Sequence, residues 1–182
     1  MNPNRIRPAV GPLAVEYLAQ AAEDAGLRLG FADLCFADDP FAELERALEE
    51  TTPRLVGVTL RNTDDCTMAT RHSFVGDHAA VVRAVRDHSE APAVLGGAGY
   101  SVAPREVLAK TGADFGIVGD GEAPLVALAR AIRDRSAWDD IPGLVWREGD
   151  GIRLNAPVWE PFGYTPLRRA TLDNQRYFRE GG

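Results

Sequence analysis

Apolar positions along this chain follow two alternating rhythms. In "GPLAVEYLAQAAEDAG", Leu13, Tyr17, Leu18 and Ala21 recur at helical spacing, and Gly26 closes the segment. "LRLGFADLCF" follows as a strand of mixed character. "DDPFAELERALEET" opens on an acidic cap, carries Pro40 in its first turn, and puts Phe41, Leu44 and Leu48 on one helical face. "PRLVGVTLR" is a continuous apolar run, the pattern of a strand buried on both faces. After a long polar stretch, "DHAAVVRAVRDHS" predicts a helix beginning near Asp77. "APAVLGG" is a strand, "APREVLAKTG" a short helix ended by Gly112, "ADFGIVGDG" a strand and "EAPLVALARAIRDR" a helix.

Short apolar strands separated by amphipathic helices, from about residue 27 to 135, predict a doubly wound parallel α/β sheet covered on both sides. Such a sheet begins with a central strand. Here only "MNPNR" precedes the first helical segment, so that strand is expected to be short or truncated. Beyond it, "GLVWRE" and "IRLNA" flank "GDG" and predict a β-hairpin. The last 25 or so residues show no clear period and read as a connector. The expected division is therefore 1–137 for the α/β domain and 138–182 for the hairpin and linker.

The 182 residues carry a net charge of −7 with no basic block, which argues against a nucleic-acid surface. No apolar run approaches membrane-spanning length, and "MNPNRIRPAV" has no apolar signal-peptide core. A cytoplasmic location is the expectation. Cys35 and Cys66 form no metal or redox spacing and are expected as free thiols. His72 with Cys66 is a weak metal pair, better read as solvated loop residues. His78 is placed just after that loop and His88 on a helix near its end.

In an open parallel sheet, ligands bind where the strands end at their carboxyl side. Four turns fall on that edge: "NPNRIRP", "TLRNTDD", "GGAGYS" and "VGDGE". Their glycines let backbone approach a ligand, and Thr59, Asn62, Asp64 and Ser101 offer polar contacts. Each alone reads as an ordinary strand-to-helix turn; four on one edge point to a site. The spacing is neither a dinucleotide fingerprint nor a Walker loop.

The segments "GGAGYSVAPREVLAKTGADFGIVGDGE", "VGVTLRNTDD", "IPGLVWR" and "LDNQRYF" resemble the N-terminal half of cobalamin-dependent radical-SAM enzymes, most closely the methyltransferases. The resemblance covers nearly the whole chain. It implies a flavodoxin-like fold that holds the corrin over the strand ends and the nucleotide tail in a slot beside the sheet. It implies cofactor contacts from Asn4, Pro8, Thr59, Leu60, Arg61, Asn62, Asp64, Gly96, Gly97, Ala98, Gly99, Tyr100, Ser101, Val118, Gly119, Asp120, Gly121 and Glu122. The Asp-x-His-x-x-Gly motif of free-standing cobalamin domains is missing from this sequence. The resemblance therefore implies base-off cobalamin with no histidine on cobalt, and with Arg61 near its lower face; a structural Arg61–Asp64 pair shaping the loop is the other reading of that residue. S-adenosylmethionine and a [4Fe-4S] cluster are implied only for a radical-SAM domain of the same full-length protein, since this sequence has no Cys-x-x-x-Cys-x-x-Cys. No catalytic residue is expected in this stretch, and the implied partner beyond that domain is a small-molecule methyl acceptor. Two other readings stay open: a nucleotide- or flavin-binding regulatory module, and a non-catalytic interaction domain.

Overall fold

The computed structural model describes residues 1–65, 67–70, 72–158 and 166–181. Cys66 lies outside them, as does part of the connector. Seven α-helices and five strands are seen among the described residues: α1 Leu13–Asp24, α2 Pro40–Thr51, β1 Val56–Thr59, α3 Phe74–His88, β2 Ala93–Gly96, α4 Ala98–Val102, α5 Pro104–Thr111, β3 Phe115–Ile117, α6 Glu122–Asp134, β4 Leu144–Glu148, β5 Gly151–Leu154 and α7 Asn174–Gly181. Among the described residues no helix is long and apolar enough to cross a membrane.

The sheet runs β1-β2-β3-β4-β5. The first three strands are parallel and the hairpin β4–β5 adds antiparallel to β3. Side-chain alternation splits the sheet between two cores. Val56, Val58, Ala93 and Leu95 face α2, α3 and α5, joined there by Leu44, Leu48, Val82, Val85 and Leu108. Val94, Phe115, Ile117, Leu144 and Trp146 face α6 through Leu128. Helix α1 packs against α6 on this second side. The fold is α/β with helices on both faces.

The expected first strand exists as a stub. Met1 donates its amine to the Gly57 carbonyl at 2.9 Å and accepts from the Thr59 amide at 3.2 Å. Asn2 donates to Ala32 at 3.0 Å and accepts from Leu34 at 2.9 Å. The stub thus lies between β1 and the 32–34 segment, the position of a first strand in a flavodoxin-like sheet.

Three local expectations change. Residues 27–36 do not form a strand; one parallel bridge, Asn2 to Asp33, is all that remains. Asp33 accepts the Cys35 amide at 3.3 Å and turns the chain into a 3-10 helix, Leu34–Phe36, before a ladder can grow. Helix α3 starts at Phe74, three residues ahead of Asp77, after the Asp64–Ser73 bridge delivers the chain. The aperiodic tail contains α7.

Candidate functional site

The loops at the carboxyl ends of β1, β2 and β3 are tied to one another. Leu60 leaves β1 with its side chain fully buried; its amide donates to Gly96 at 2.7 Å and its carbonyl accepts from Gly99 at 3.0 Å. Ser101 bridges the two glycine turns, donating to the Gly97 carbonyl at 3.1 Å and accepting from the Gly119 amide at 3.2 Å. Gly97 has φ of +104°, and a Cβ there would lie 2.7 Å from the Leu60 carbonyl oxygen. At Gly99 a Cβ would meet the Asn62 amide at 2.8 Å. The glycine requirement at both positions is set by the protein's own 59–62 backbone, not by open space above the turn.

Open space lies elsewhere. Val56 and Val58 point into the α2/α3 core, so Gly57 and Thr59 point to the α1/α6 side. A Cβ on Gly57 would meet nothing within 4 Å, although the residue is half-buried. Thr59 pairs in register with Gly96, so this face of the strand ends is a shelf of small residues. The buried apolar residues of α1, Val15, Ala19 and Ala22, belong to neither sheet core. At the start of α6, the Glu122 Oε2 atom is buried with no hydrogen-bond partner among the described residues. Burial, and secondarily the Asp120 carboxylate, raises the Glu122 pKa above the ordinary value. Val118 and Gly121 are half-buried beside it and Asp120 is exposed. Gly121 packs on Leu18 of α1: a Cβ there would sit 3.2 Å from Leu18 Cδ2.

On the other side of the edge a cleft of about 340 Å³ opens, lined by Asn4, Arg5, Phe41, Arg61, Asn62, Phe74 and His78 among others. Arg61 is exposed and makes no hydrogen bond or ion pair with any described residue, so no Arg61–Asp64 pair shapes the loop. Asn4 accepts from the Ile6 amide at 3.1 Å and holds the cleft's N-terminal wall. Pro8, after a cis Arg7–Pro8 bond, is exposed. Asp64 lines a second, shallower depression with Met68 and Val75. Ala98 is exposed at the start of α4, and Tyr100 is completely buried. Its ring lies over β3, where a Cβ on Gly116 would come 2.1 Å from Tyr100 Cζ. The phenol has no hydrogen-bond partner among the described residues, and burial raises its pKa strongly.

The three histidines are all engaged. His78, expected just after the polar loop at the helix start, is buried in α3; its Nδ1 lies 2.7 Å from the Phe74 carbonyl and its Nε2 3.0 Å from that of Thr59. It follows Phe74 by one helical turn, the spacing that turns it inward. His72 pairs with Asp77 at 2.7 Å, which raises its pKa. His88 lies by Glu45 at the far end of α3. No group of three His, Cys, Asp or Glu residues suited to a metal ion is found among the described residues.

Sequence reasoning passed over Asn2, Glu16, Asp33 and Tyr177. All four join the terminal segments across long separations, and no local period marks them.

A family model described as the B12 binding domain matches residues 5–129. A tryptophan 2-C-methyltransferase from Streptomyces laurentii is 36% identical over 166 residues, covering 88% of this chain and 28% of that protein. The radical S-adenosylmethionine methyltransferase TsrM from Kitasatospora setae, solved with cobalamin and a [4Fe-4S] cluster bound, matches with a TM-score of 0.89 at 32% identity, over 100% of this chain and 37% of that one. The radical enzyme OxsB, solved with aqua-cobalamin and S-adenosylmethionine, shares the fold, with a TM-score of 0.64 at 13% identity over 84% of this chain and 21% of its own. The chain spans well under half the length of each relative. With the B12 model matched over most of its length and two methyltransferases alike across nearly all of it, this chain belongs to the B12-binding domain family.

Proposed function

We propose that this chain is the cobalamin-binding module of a cobalamin-dependent radical-SAM methyltransferase, holding base-off cobalamin as methyl carrier at the carboxyl edge of its sheet. Bound there, cobalamin would supply a cobalt centre able to accept and pass on a methyl group. The observation that carries the reading is the shelf at Gly57, Thr59 and Gly96. It is half-buried space that a Cβ on Gly57 would begin to fill, on the strand edge of a B12-family fold where the start of α6 also carries an orphaned Glu122 oxygen. These features fit a group with a long, partly apolar tail and several hydrogen-bonding positions.

The remaining assignments rest on the same edge. Thr59, Gly96, Val118, Gly119, Gly121 and Glu122 would line the recess for the tail. Asn4, Arg61, Asn62 and Asp64 would face the corrin, with Pro8, Ala98 and Asp120 at its rim. The backbone of Leu60, Gly97, Gly99, Tyr100 and Ser101 would keep the loops in place. Base-off binding is supported by the histidines: His78 has both nitrogens against carbonyl oxygens, and His72 and His88 face carboxylates. Arg61 would stand at the lower face of cobalt, where a guanidinium offers no lone pair to a metal. Residues 138–182 would lead toward a radical-SAM domain carrying S-adenosylmethionine and the [4Fe-4S] cluster, in the reducing cytoplasm. The likeness to a tryptophan 2-C-methyltransferase makes tryptophan the first methyl acceptor to test with a full-length protein.

The test is a titration of parent and Arg61→His with hydroxocobalamin, followed by calorimetry and visible absorption. The parent should bind one to one and turn pink to orange. Arg61→His should bind and shift the spectrum toward a nitrogen-ligated form, because a neutral imidazole can ligate. A parent that is colourless once free cofactor has been removed overturns the module; a yellow complex with flavin instead would favour the nucleotide reading. An unaltered Arg61→His spectrum with normal binding removes Arg61 from the cobalt.

A further inference from the structure

Residues 166–177 run along α1 from its end to its beginning and finish against the N-terminal stub. Arg168 pairs with Asp24 at 2.5 Å, and its amide donates to Gln20 Oε1 at 3.0 Å. One turn nearer the N-terminus, the buried Glu16 carboxylate accepts the Thr171 and Leu172 amides, each at 3.1 Å. The chain then enters α7, where Tyr177 packs edge-on to Phe36 with ring centroids 4.7 Å apart.

The Tyr177 hydroxyl sits in a closed circuit. It donates to Asp33 Oδ2 at 2.7 Å and accepts from Asn2 Nδ2 at 2.8 Å; Asn2 Nδ2 also donates to Asp33 Oδ1 at 3.0 Å. With both amide hydrogens so held, Asn2 Oδ1 is aimed at the Asn4 amide, which donates to it at 3.2 Å. Asn4 Oδ1 in turn accepts from the Ile6 amide at 3.1 Å. Asn2 is 1% exposed and every polar atom of it is used. A hydroxyl 175 positions downstream therefore sets the turn that walls the cleft beside Arg61.

We propose that the 166–177 segment is a strap whose Tyr177 hydroxyl is a positioning group for cobalamin retention: it fixes the Asn2–Asn4–Ile6 turn and thereby the N-terminal wall of the cofactor cleft. This rests on the cobalamin reading above. Glu16 anchors the strap along α1, and the Phe36 contact and the Asp33 bond orient the phenol. Losing the hydrogen bond to the Asp33 carboxylate, with the Asn2 amide then held on its donor side by Asp33 alone, weakens the wall without emptying either sheet core. A charge-assisted bond of this kind corresponds to a roughly tenfold to hundredfold change in an equilibrium constant.

The test uses the full 182-residue chain loaded with hydroxocobalamin. Tyr177→Phe keeps the ring on Phe36 and removes the hydroxyl. It should release cobalamin about tenfold to hundredfold faster than the parent. Amide exchange at Asn4 and Ile6 should quicken while that of Val94 and Leu95 in β2 stays unchanged. Glu16→Gln, which loosens the strap far from Asn2, should also speed release, and it decides the matter if Tyr177→Phe does not fold. Parental release from both variants overturns this inference alone, as does exchange that quickens equally in β2, which would make Tyr177 a general stabiliser. A parent that binds no hydroxocobalamin overturns the cobalamin reading and this inference together.

Discussion

Two glycine-to-alanine changes on the same sheet edge should behave in opposite ways. Gly97 has φ of +104° and ψ of 171°, a region closed to residues with a Cβ at a cost of about 1–3 kcal/mol. The added methyl would also lie 2.7 Å from the Leu60 carbonyl oxygen and 3.0 Å from Thr59 Oγ1, on residues whose amides are held by the Gly96 and Met1 carbonyls. Overpacking of this kind adds about 1–3 kcal/mol. Gly97→Ala should therefore lose about 2–6 kcal/mol, a large part of a typical domain's stability. At about 2–4 °C per kcal/mol for a chain of this size, melting falls by roughly 5–20 °C. Gly57→Ala meets nothing within 4 Å and sits in an extended strand. Its cofactor-free stability should stay within about 1 kcal/mol of the parent, on the stabilising side, because the unfolded chain loses freedom. Its methyl would enter the recess proposed for the cofactor tail, so cobalamin affinity should fall by roughly tenfold. Urea denaturation without cofactor and calorimetry with hydroxocobalamin read the two effects separately. Parental melting of Gly97→Ala would show that the turn is not pressed against the 59–62 backbone. Parental affinity of Gly57→Ala would place the tail elsewhere, and strong destabilisation would show that the recess is not open.

Two further outcomes follow from the orphaned polar atoms. Tyr100→Phe removes a buried hydroxyl with no described partner, which relieves a desolvation cost of about 1–3 kcal/mol against a small gap; thermal melting should be unchanged or higher, and a loss beyond about 1 kcal/mol would mean that the hydroxyl is bonded. Glu122 has a folded-state pKa raised by burial and by Asp120, so its stabilising neutral form is fully present below the unfolded pKa and is lost as pH rises through the folded one. Glu122→Gln should melt with the parent in acid and above it as pH climbs past the carboxylate range; a difference independent of pH contradicts this.

The elements that could be read from sequence are those whose cause is local. Asp39 accepts the Phe41 and Ala42 amides at 2.9 and 3.1 Å, and Pro40 follows it, so α2 begins where its cap residues put it. Gly112 takes φ of +74° at the end of α5, as a glycine after a helix should. The two-residue Gly149–Asp150 turn sets the hairpin register that pairs Glu148 with Gly151. Residues 27–36 read as a strand because their composition suits one, but the Asp33 side chain captures a neighbouring amide and ends the extended run. The ligand edge was legible for a similar reason, since strand ends in a parallel sheet share one side. The purpose of its glycines was not. Composition shows that a turn is glycine-rich, but it does not show whether a ligand or the protein's own carbonyl occupies the space where Cβ would be. At Gly97 and Gly99 it is the carbonyl side; at Gly57, in the middle of a strand and unremarked in sequence, the space is open.

The strap was hidden for a more general reason. Period and spacing report on neighbours three or four residues apart, whereas Asn2, Asp33 and Tyr177 meet across separations of 31, 144 and 175 positions. Each of these residues has an unremarkable local reading: a polar residue in a starting loop, an acid before a turn, an aromatic in an aperiodic tail. Their meaning comes from being buried together, where an amide, a carboxylate and a phenol can satisfy one another and could not remain unpaired. The same holds for Glu16, which local pattern places on α1 as one more acid, yet which is 3% exposed because two amides of the 171–172 backbone cover it. A buried carboxylate among apolar helix positions is the one sequence-level trace such an arrangement leaves. In this chain Glu16 lies between Val15 and Ala19, on the buried stripe, and so marks where a distant segment must come to pair it.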